Sequence, residues 1–501
     1  MVKKIFFVLI FCFAQLIVFA QYKNNKWLMG IQGNPPLPYG GSKIEFINNT
    51  RIISNDPRNI RLSVCFSGLS DQADNWFVYS NGSVICNKNN DTLLNGVGLS
   101  PGASQSYIYS GLAGQSQAIF FPGDTVNQRY YLFHQNTKLS LPGHPQGNNP
   151  SSLHLYYSLI DPLAANGQGE LISKNNLVIS DTMENSNVLA VRHANGRDWW
   201  VVVKRFYEDR FYSILATPDS VYAPVSYNTQ SPPAVIGGQA CFSPDGKHYA
   251  SFSNISQLKI YDFNRCSGIL SNYKAKFITN QIAGFTSFSP NSRFLYVSSI
   301  DSLWQFDMQA SDVLASQTFI AKWDGYLDST FGNQTIFWWH WLAPDGKIYI
   351  VSGNQARTMH VINNPDMPGL ACDFQQHSVN IPTVNNFTIP TSINLALYQD
   401  SGSPCDTLGV GNPSLHITNS GLKITPNPSD GLFNIEYIPQ RVSGMLYVYN
   451  IEGKETYREY VSPYSSIKNL ALSQKLNNGI YEVSLIFGNN ILSQKVIIQK
   501  P

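Results

Sequence analysis

Charge is scarce in this chain. Asp, Glu, Lys and Arg make up 13% of its 501 residues, against roughly 25% in ordinary soluble domains. The signs nearly cancel, 34 basic against 32 acidic. With no Lys/Arg cluster interleaved with aromatics, no nucleic-acid partner is expected. Long apolar runs are missing after Phe19, so no membrane-spanning segment is expected in the mature chain. No stretch shows a helical period, and the motifs of common enzymes are absent. There is no phosphate-binding loop, calcium loop or His-Glu-x-x-His. The nearest approach to a Gly-x-Ser-x-Gly elbow, Gly114-Gln-Ser-Gln-Ala118, ends in Ala. Nine His are scattered without ligand spacing, so neither metal nor cofactor is expected.

Aromatic and turn-forming residues take the place of charge. Phe, Trp and Tyr reach 13%, beside 36 Gly and 28 Pro. That mixture describes an all-β chain whose strands are closed up or covered. One unit recurs. Ala240-Cys-Phe-Ser-Pro-Asp-Gly-Lys-His-Tyr-Ala is echoed by Ser287-Phe-Ser-Pro-Asn-Ser-Arg-Phe-Leu-Tyr and by Trp341-Leu-Ala-Pro-Asp-Gly-Lys-Ile-Tyr. Each reads as strand, tight turn, strand. Weaker copies begin near Val191, Phe121 and Cys65. Taking Phe66, Phe121, Val191, Phe242, Phe288 and Leu342 as equivalent gives steps of 55, 70, 51, 46 and 54 residues. A period near 50 with several strands per unit marks a propeller blade. The longest step is expected to carry an insertion at 141–152. Strands expected at 27–30, 43–47 and 51–54 should share one blade with 392–398, which closes the ring and hides its free edges. Seven blades are expected, with six or eight as neighbours; an array of sandwiches is the alternative.

Asn75-Trp-Phe-Val-Tyr-Ser-Asn-Gly, Gln115-Ser-Gln-Ala-Ile, Tyr156-Tyr-Ser-Leu-Ile-Asp, Val191-Arg-His-Ala-Asn-Gly and the Phe-Ser-Pro-Asp-Gly repeats resemble WD40-type propellers. They are similar above all to those in surface and gliding-associated proteins of Bacteroidetes. The resemblance spans roughly residues 22–400 and implies fold and location rather than activity. Gly196-Arg197 departs from it, since that family usually has Gly-Cys or Gly-Asn there.

Both chain ends carry addresses. Lys3 and Lys4 precede an apolar run over 5–19, and Val18-Phe19-Ala20 offers small residues for cleavage before Gln21, the pattern of a secretory signal peptide over 1–20. Cys12 lies inside the apolar run and no Cys follows Ala20, so a lipoprotein is not expected. At the other end come Lys423-Ile-Thr-Pro-Asn-Pro-Ser-Asp-Gly-Leu-Phe, Val448-Tyr-Asn-Ile-Glu-Gly-Lys, Asn478-Gly-Ile-Tyr-Glu-Val and a basic close from Lys495 to Lys500. In that order the boxes resemble the C-terminal sorting domain of type IX secretion cargo from Bacteroidetes. The resemblance implies type IX secretion machinery as a partner, and delivery by way of the periplasm to the medium or the outer cell surface. Pro426, Asn427, Pro428, Asp430, Gly431, Gly453, Gly479, Lys495 and Lys500 are the residues of that signal. The expected order is signal peptide 1–20, propeller 21–400, linker 401–420 and an immunoglobulin-like β-sandwich over 421–501. An ordinary adhesion module is the alternative reading of the last part.

Six Cys remain after the signal: Cys65, Cys86, Cys241, Cys266, Cys372 and Cys405. Pairing of nearest neighbours, 65–86, 241–266 and 372–405, is expected because each separation fits one hairpin or blade; buried thiols are the alternative. His193 and His340 are expected as structural hydrogen-bonders, and Asp262, Asp307 and Asp324 as turn ties. The pairs Trp76-Phe77, Tyr130-Tyr131, Trp199-Trp200 and Trp338-Trp339 are expected to fill the wedges between blades, carbohydrate stacking being the other use. Asp followed by Ser or Thr recurs and resembles Bacteroidetes O-glycosylation sites at Thr92, Thr125, Thr182, Ser220, Ser302, Ser329 and Thr407; turns opening into strands generate the same pattern. Sialidase Asp-boxes are not matched, because Ser243-Pro-Asp-Gly places its Gly one position early. Two functions follow. The first is a non-enzymatic exported propeller that binds a protein or glycan on its loop face. The alternative is a secreted polysaccharide hydrolase or lyase with carboxylates at the channel mouth.

Overall fold

The computed structural model describes residues 24–406 and 422–500, apart from 32–36, 59, 63, 72–76, 102–111, 113–115, 124–128, 137–150, 233–237, 254–256, 279–283, 392, 438–442, 462–466 and 488–489. The signal peptide, Thr125, Thr407 and most of the expected insertion lie outside them. Contacts divide the chain into two units, Met1–Thr407 and Leu408–Pro501.

The first unit is a succession of antiparallel sheets, each laid down in chain order with consecutive strands side by side. Sheet I holds Lys26–Met29, Ser42–Ile47 and Thr50–Asn55. Sheet II runs Ser67–Ser70, Phe77–Ser80, Val84–Asn87, Thr92–Val97; sheet III runs Ala118–Pro122, Tyr130–Gln135, Ser151–Asp161, Glu170–Glu184. A parallel pairing of Glu170 with Leu94 joins II and III edge to edge into eight strands. Sheet IV spans 189–227, sheet V 238–277, sheet VI 285–322 and sheet VII 340–385, with four strands each. With II and III read as two, sheets I to VII follow one another among the described residues, the first with three strands and the other six with four. A two-stranded hairpin, Leu327–Asp328 with Asn333–Gln334, lies between VI and VII in the chain.

The first strands of sheets II to VII neighbour one another in succession, which is the plan of a propeller with first strands around the axis. Burial follows that radius. The first strands Ala118–Pro122 and Phe285–Phe288 are buried at every residue, whereas the last strands Val225–Tyr227 and Thr318–Lys322 are largely exposed. Trp199, Trp200, Phe77, Tyr130 and Tyr131 are buried between sheets. Trp338 and Trp339 are half-buried against Phe285, with ring centroids 4.9 and 4.8 Å away.

Two expectations about the propeller need correction. Residues 393–398 do not join sheet I. Thr391 instead makes a parallel bridge to Ser67 of sheet II, and a turn falls at 395–396. The alternation Ile393, Leu395, Leu397 looked like a strand, but these side chains pack into the mouth of the ring. Sheet I closes the ring by packing on both neighbours. Trp27 and Phe46 meet Tyr349 of sheet VII at 5.6 and 5.9 Å between ring centroids, Ser42 bonds Thr383 at 2.7 Å, and Ser70 of sheet II donates to Asn25. The repeat register also slips in two copies. Hydrogen bonding at the turns makes Arg192, not Val191, the counterpart of Phe242, and Phe66 precedes its strand and packs between sheets I and II.

The cysteines are corrected too. Cys266 pairs with Cys405, Cα atoms 5.6 Å apart, while Cys65, Cys86, Cys241 and Cys372 are buried thiols. Sequence proximity misled because Cys65 and Cys86 lie in separate packing clusters, and Cys241 and Cys372 fill apolar space. The bridge ties 401–406, expected as linker, to the propeller. Burial pushes the Cys65 and Cys241 thiols up to about 12, so both stay protonated and inert.

The second unit packs Leu422–Thr425, Leu432–Tyr437 and Ile467–Ala471 in one sheet, and Glu455–Val461, Gly444–Asn450, Gly479–Phe487 and Asn490–Ile498 in another. Alternation is strict: Phe433, Ile435 and Tyr437 face in, while Leu432, Asn434 and Glu436 face out. Leu446, Val448, Val483, Leu485 and Val496 complete a core separate from the propeller's, as a domain with its own fold requires.

Non-reducing peptide mapping should return a Cys266–Cys405 linkage and four thiols that alkylate only after denaturation. The bridge closes a loop of 139 residues, so Cys405→Ser should lower stability by about 3–5 kcal/mol, read by denaturant unfolding.

Candidate functional site

Four turns of one construction stand at the ends of first strands. In sheet V, Ser243 N–H donates to the His248 carbonyl and Gly246 N–H to the Ser243 carbonyl, while Asp245 Oδ1 accepts from Lys247 N–H. Ser289, Asn291 and Ser292 repeat this in sheet VI and His193, Asn195 and Gly196 in IV; Ala343, Asp345 and Gly346 do so in VII, with the first bond closing one residue earlier, on the Lys347 carbonyl. The fourth position is left-handed in all of them, with φ of +69°, +63°, +77° and +71°. That is why Gly recurs there; Ser292 accepts the strain and uses its hydroxyl to bond Asp245 N–H at 3.0 Å.

These turns frame a cavity of about 760 Å³ at the mouth of the ring. Residues 189–192, 241–244, 287–288 and 341–344 supply the walls, 46–49 of sheet I another side, and 393–397 cross it. Asn394 donates to the Pro244 carbonyl at 2.6 Å and Asp400 N–H to the Ala194 carbonyl at 2.8 Å. Arg265, buried, gives its guanidinium to the carbonyls of Arg192, His193 and Tyr398, so one cation clasps the crossing segment to sheets IV and V. The Cys266–Cys405 bridge lies beside that clasp.

The lining is apolar and amide-rich. Phe242, Trp341 and Leu342 face it with Asn24, Asn48 and Asn394, and Arg192 is the single charged residue among the described lining; no carboxylate or His is present there. Arg192 stacks on Trp199, 4.2 Å from the ring, and bonds the Gly196 carbonyl. The carboxylates considered from the sequence lie elsewhere. Asp307 is held low by the Arg293 guanidinium, Asp262 accepts from Asn272 at 2.7 Å, and Asp324 meets His377 at 2.9 Å. Each ties a turn or neighbouring strands. His193 accepts Asn195 N–H and lies 3.2 Å from the Cys266 carbonyl. His340 bonds Ser287, and burial lowers it to about 3. Among the described residues no three potential ligands gather as a metal site would need.

The glycosylation candidates divide by exposure. Thr92, Ser220 and Ser329 are exposed; Thr182 and Ser302 are half-buried beside Asp181 and Asp301. Asp181 bonds Arg205 and Tyr212, and Asp301 accepts from Ser302.

The C-terminal signal residues come together. Asn427 donates to the Lys495 carbonyl at 2.9 Å and accepts Ile497 N–H at 2.8 Å, and Ser429 pairs with the same strand. Thr425–Pro426 and Asn427–Pro428 are cis peptides. Asp430 Oδ1 accepts Leu432 N–H, and Gly431, at φ +103°, lies so close to Ser473 that a Cβ would stand 2.5 Å from its Cα. Gly453, at +76°, closes the turn in which Asn450 takes the N–H groups of Glu452 and Lys454. Gly479 begins the strand Gly479–Phe487 in near-extended backbone. Lys500 N–H bonds Asn478, and the Lys495 side chain is exposed. Arg265 was not singled out from sequence, and the crossing segment was expected as a blade strand. The apolar alternation at 393–397 was visible there, but not the surface it covers.

Residues 423–499 match the family "Secretion system C-terminal sorting domain", and the second unit is the sorting domain of a type IX secretion substrate. No curated protein matches the chain. Solved structures similar to the propeller include a protein from Lactobacillus plantarum, at 12% identity over 72% of this chain and 98% of that one, TM-score 0.44. Another is the periplasmic gluconolactonase PpgL of Pseudomonas aeruginosa, at 13%, 72%, 97% and 0.43. The Dos1 propeller is a third, at 12%, 62%, 70% and 0.34. No helix among the described residues is long and apolar enough to cross a membrane.

Gly246→Ala places a Cβ at φ +69° and 2.8 Å from Leu397, so it should cost about 2–3 kcal/mol. Ser292→Gly relieves similar backbone strain but loses a hydrogen bond and adds unfolded-state entropy, and should stay within about 1 kcal/mol of neutral. Chemical denaturation compares the two.

His134, His340 and His360 are each lowered to about 3 by burial, from an ordinary 6.5. The unfolded chain therefore binds protons that the folded one refuses, and stability should fall as pH drops from 6.5 toward 3. His340→Gln should remove one proton from that acid dependence, read as Tm against pH.

Proposed function

We propose that this type IX secretion substrate is a binding protein whose propeller takes an uncharged protein or glycan ligand at the mouth of the ring. The observation that carries the reading is the lining of the 760 Å³ cavity: aromatic and aliphatic walls, several Asn amides, one Arg and no carboxylate or His among the described residues. A cavity of that size with few convergent polar groups suits a small ligand or one protruding side of a large one. Asn offers both donor and acceptor, which suits hydroxyls and peptide groups alike. Acid–base hydrolysis of polysaccharide needs paired carboxylates about 5–10 Å apart at the site, and the mouth offers none in its described lining. Export is carried by the sorting domain, so the ligand is one met outside the cell or at its surface. Of the described Asp-Ser/Thr positions we favour Thr92, Ser220 and Ser329 as glycan acceptors, since a transferase needs an exposed hydroxyl; intact-mass and peptide analysis of exported protein should find sugar there and not on Thr182 or Ser302.

The test is a glycan and peptide array probed with the mature chain, beside a polysaccharide hydrolysis screen. Ala343, buried in the cavity wall, is replaced by Trp to fill it. Binding that falls by about tenfold or more in Ala343→Trp, a loss of about 1.4 kcal/mol, with the melting temperature retained, supports the mouth as the site. Equal binding by both proteins moves the site elsewhere, and turnover of any polysaccharide reverses the assignment.

A further inference from the structure

Sheet I is one strand short. Among the described residues it holds three strands, where sheets II to VII hold four each. The third strands of other sheets are covered: Val84–Asn87 and Phe211–Ala216 are buried at every residue, and Ala356–Ile362 at all but one. Thr50–Asn55, their counterpart in sheet I, has no buried residue. Asp56 N–H donates to the Gly41 carbonyl at 2.8 Å. With the register of the pair, that bond turns the backbone groups of Thr50, Ile52 and Ser54 toward the middle strand. Those of Arg51, Ile53 and Asn55 point outward, and no described backbone group meets them there.

Outer strands of natural sheets carry guards against stray pairing, and the other outer strands of this ring have them. Sheets II and III cover each other through Glu170 and Leu94. The last strand of IV is three residues long and follows Pro224. Those of V and VI carry Lys274, Lys276 and Lys322, and that of VII contains Pro382. Thr50–Asn55 has neither Pro nor Lys. Its Arg51 turns back into the ring and bonds the Tyr349 hydroxyl at 3.1 Å, and Ile53 packs on the core beside it. On the other side of the strand Ile52 is 48% exposed, as is Ile47, across from Thr50, at 47%.

We propose that this edge binds an extended peptide segment of a partner protein, which adds antiparallel to Thr50–Asn55 as the missing fourth strand. The other six sheets supply the template, because in each the fourth strand pairs antiparallel with the third. Sheet I also stops one strand, roughly 4.8 Å, inside its four-stranded neighbours. A flexible segment enters such a recess, whereas the sheet edge of a second folded copy would meet sheets II and VII first. Main-chain hydrogen bonds give affinity in this mode and alternate side chains give selectivity. Beside Ile52 the incoming residue meets an apolar surface, and Lys43 and Glu45 already pair with each other at 3.0 Å. An uncharged segment with a β-branched or aromatic residue at that position fits. This edge is separate from the mouth of the ring, and the proposal does not rest on what binds there.

The experiment selects a random dodecapeptide display library on the mature chain and, in parallel, on Ile53→Pro. Proline removes the outward N–H of residue 53 without removing a bond of sheet I. Peptides selected on the parent should bind the variant about tenfold or more weaker. They should weaken likewise when alternate residues of the peptide are N-methylated, which leaves every side chain in place. Binding indifferent to both changes overturns the proposal. Peptides that Ile53→Pro retains and Ala343→Trp loses bind at the mouth; a selection that returns only those, or nothing, overturns it as well. Sedimentation of the parent tests the other occupant: a dimer that Ile53→Pro dissociates gives the edge to a second copy and overturns the assignment to a partner. If Ile53→Pro melts below the parent, Asn55→Pro replaces it, since Asn55 is exposed and its N–H also points outward, and the same loss is required.

Discussion

Everything in the propeller depends on how a ring made in chain order is closed. Sheets II to VII are laid down in sequence, each packing on the one before, but the first and last have no chain neighbour to hold them together. Closure comes from aromatic packing and a few buried polar contacts. Trp27 and Phe46 of sheet I insert against Tyr349 of sheet VII, with Ser42 bonded to Thr383. On its other side sheet I shares a buried cluster with sheet II through Leu28, Ile60 and Phe66. A three-stranded sheet wedged between neighbours does what a shared blade would do, since edges are protected by being covered as well as by being paired.

With the ring closed that way, the chain after sheet VII is released for another use. It crosses the mouth with Ile393, Leu395 and Leu397 turned inward, and leaves through the Arg265 clasp and the Cys266–Cys405 bridge. The mouth therefore has a wall that belongs to no blade. The bridge stands shortly before the sorting domain begins, so the last described stretch of the propeller unit is covalently fixed to sheet V. The second unit has its own core and needs none of this. Signal and cargo are separable by construction, which suits a domain whose task is to be recognised by an exporter.

Low charge has a consistent physical meaning across the molecule. Buried His134, His340 and His360 are kept neutral by desolvation. Four cysteines serve as small apolar fillers, and carboxylates are spent on turns and neighbouring strands. What remains at the mouth is a neutral surface of amides and rings. That surface exerts little attraction at a distance, because its one Arg is already stacked on Trp199.

The sequence by itself determined the all-β class, the repeat, the turn chemistry and the sorting domain. These are local matters: Pro-Asp-Gly at 244–246 dictates its own φ and hydrogen bonds, and the Phe433, Ile435, Tyr437 alternation selects a buried face whatever surrounds it. The tertiary structure alone decided the rest. The pairing of Cys266 with Cys405 joins residues 139 apart, and nothing in either neighbourhood encodes the other. The alternation at 393–397 is equally suited to a sheet edge and to the mouth of a ring, and only the packing of sheet I, which left no edge to fill, chose between them. The neutral cavity is assembled from turns some 50 residues apart in sequence, so its composition became legible only when the ring brought their ends together. The outward alternation of Met445, Tyr447 and Tyr449 was written in the sequence, but that Tyr447 stands between Arg458 and Ser484, and Tyr449 beside Glu482, is a fact of strand register.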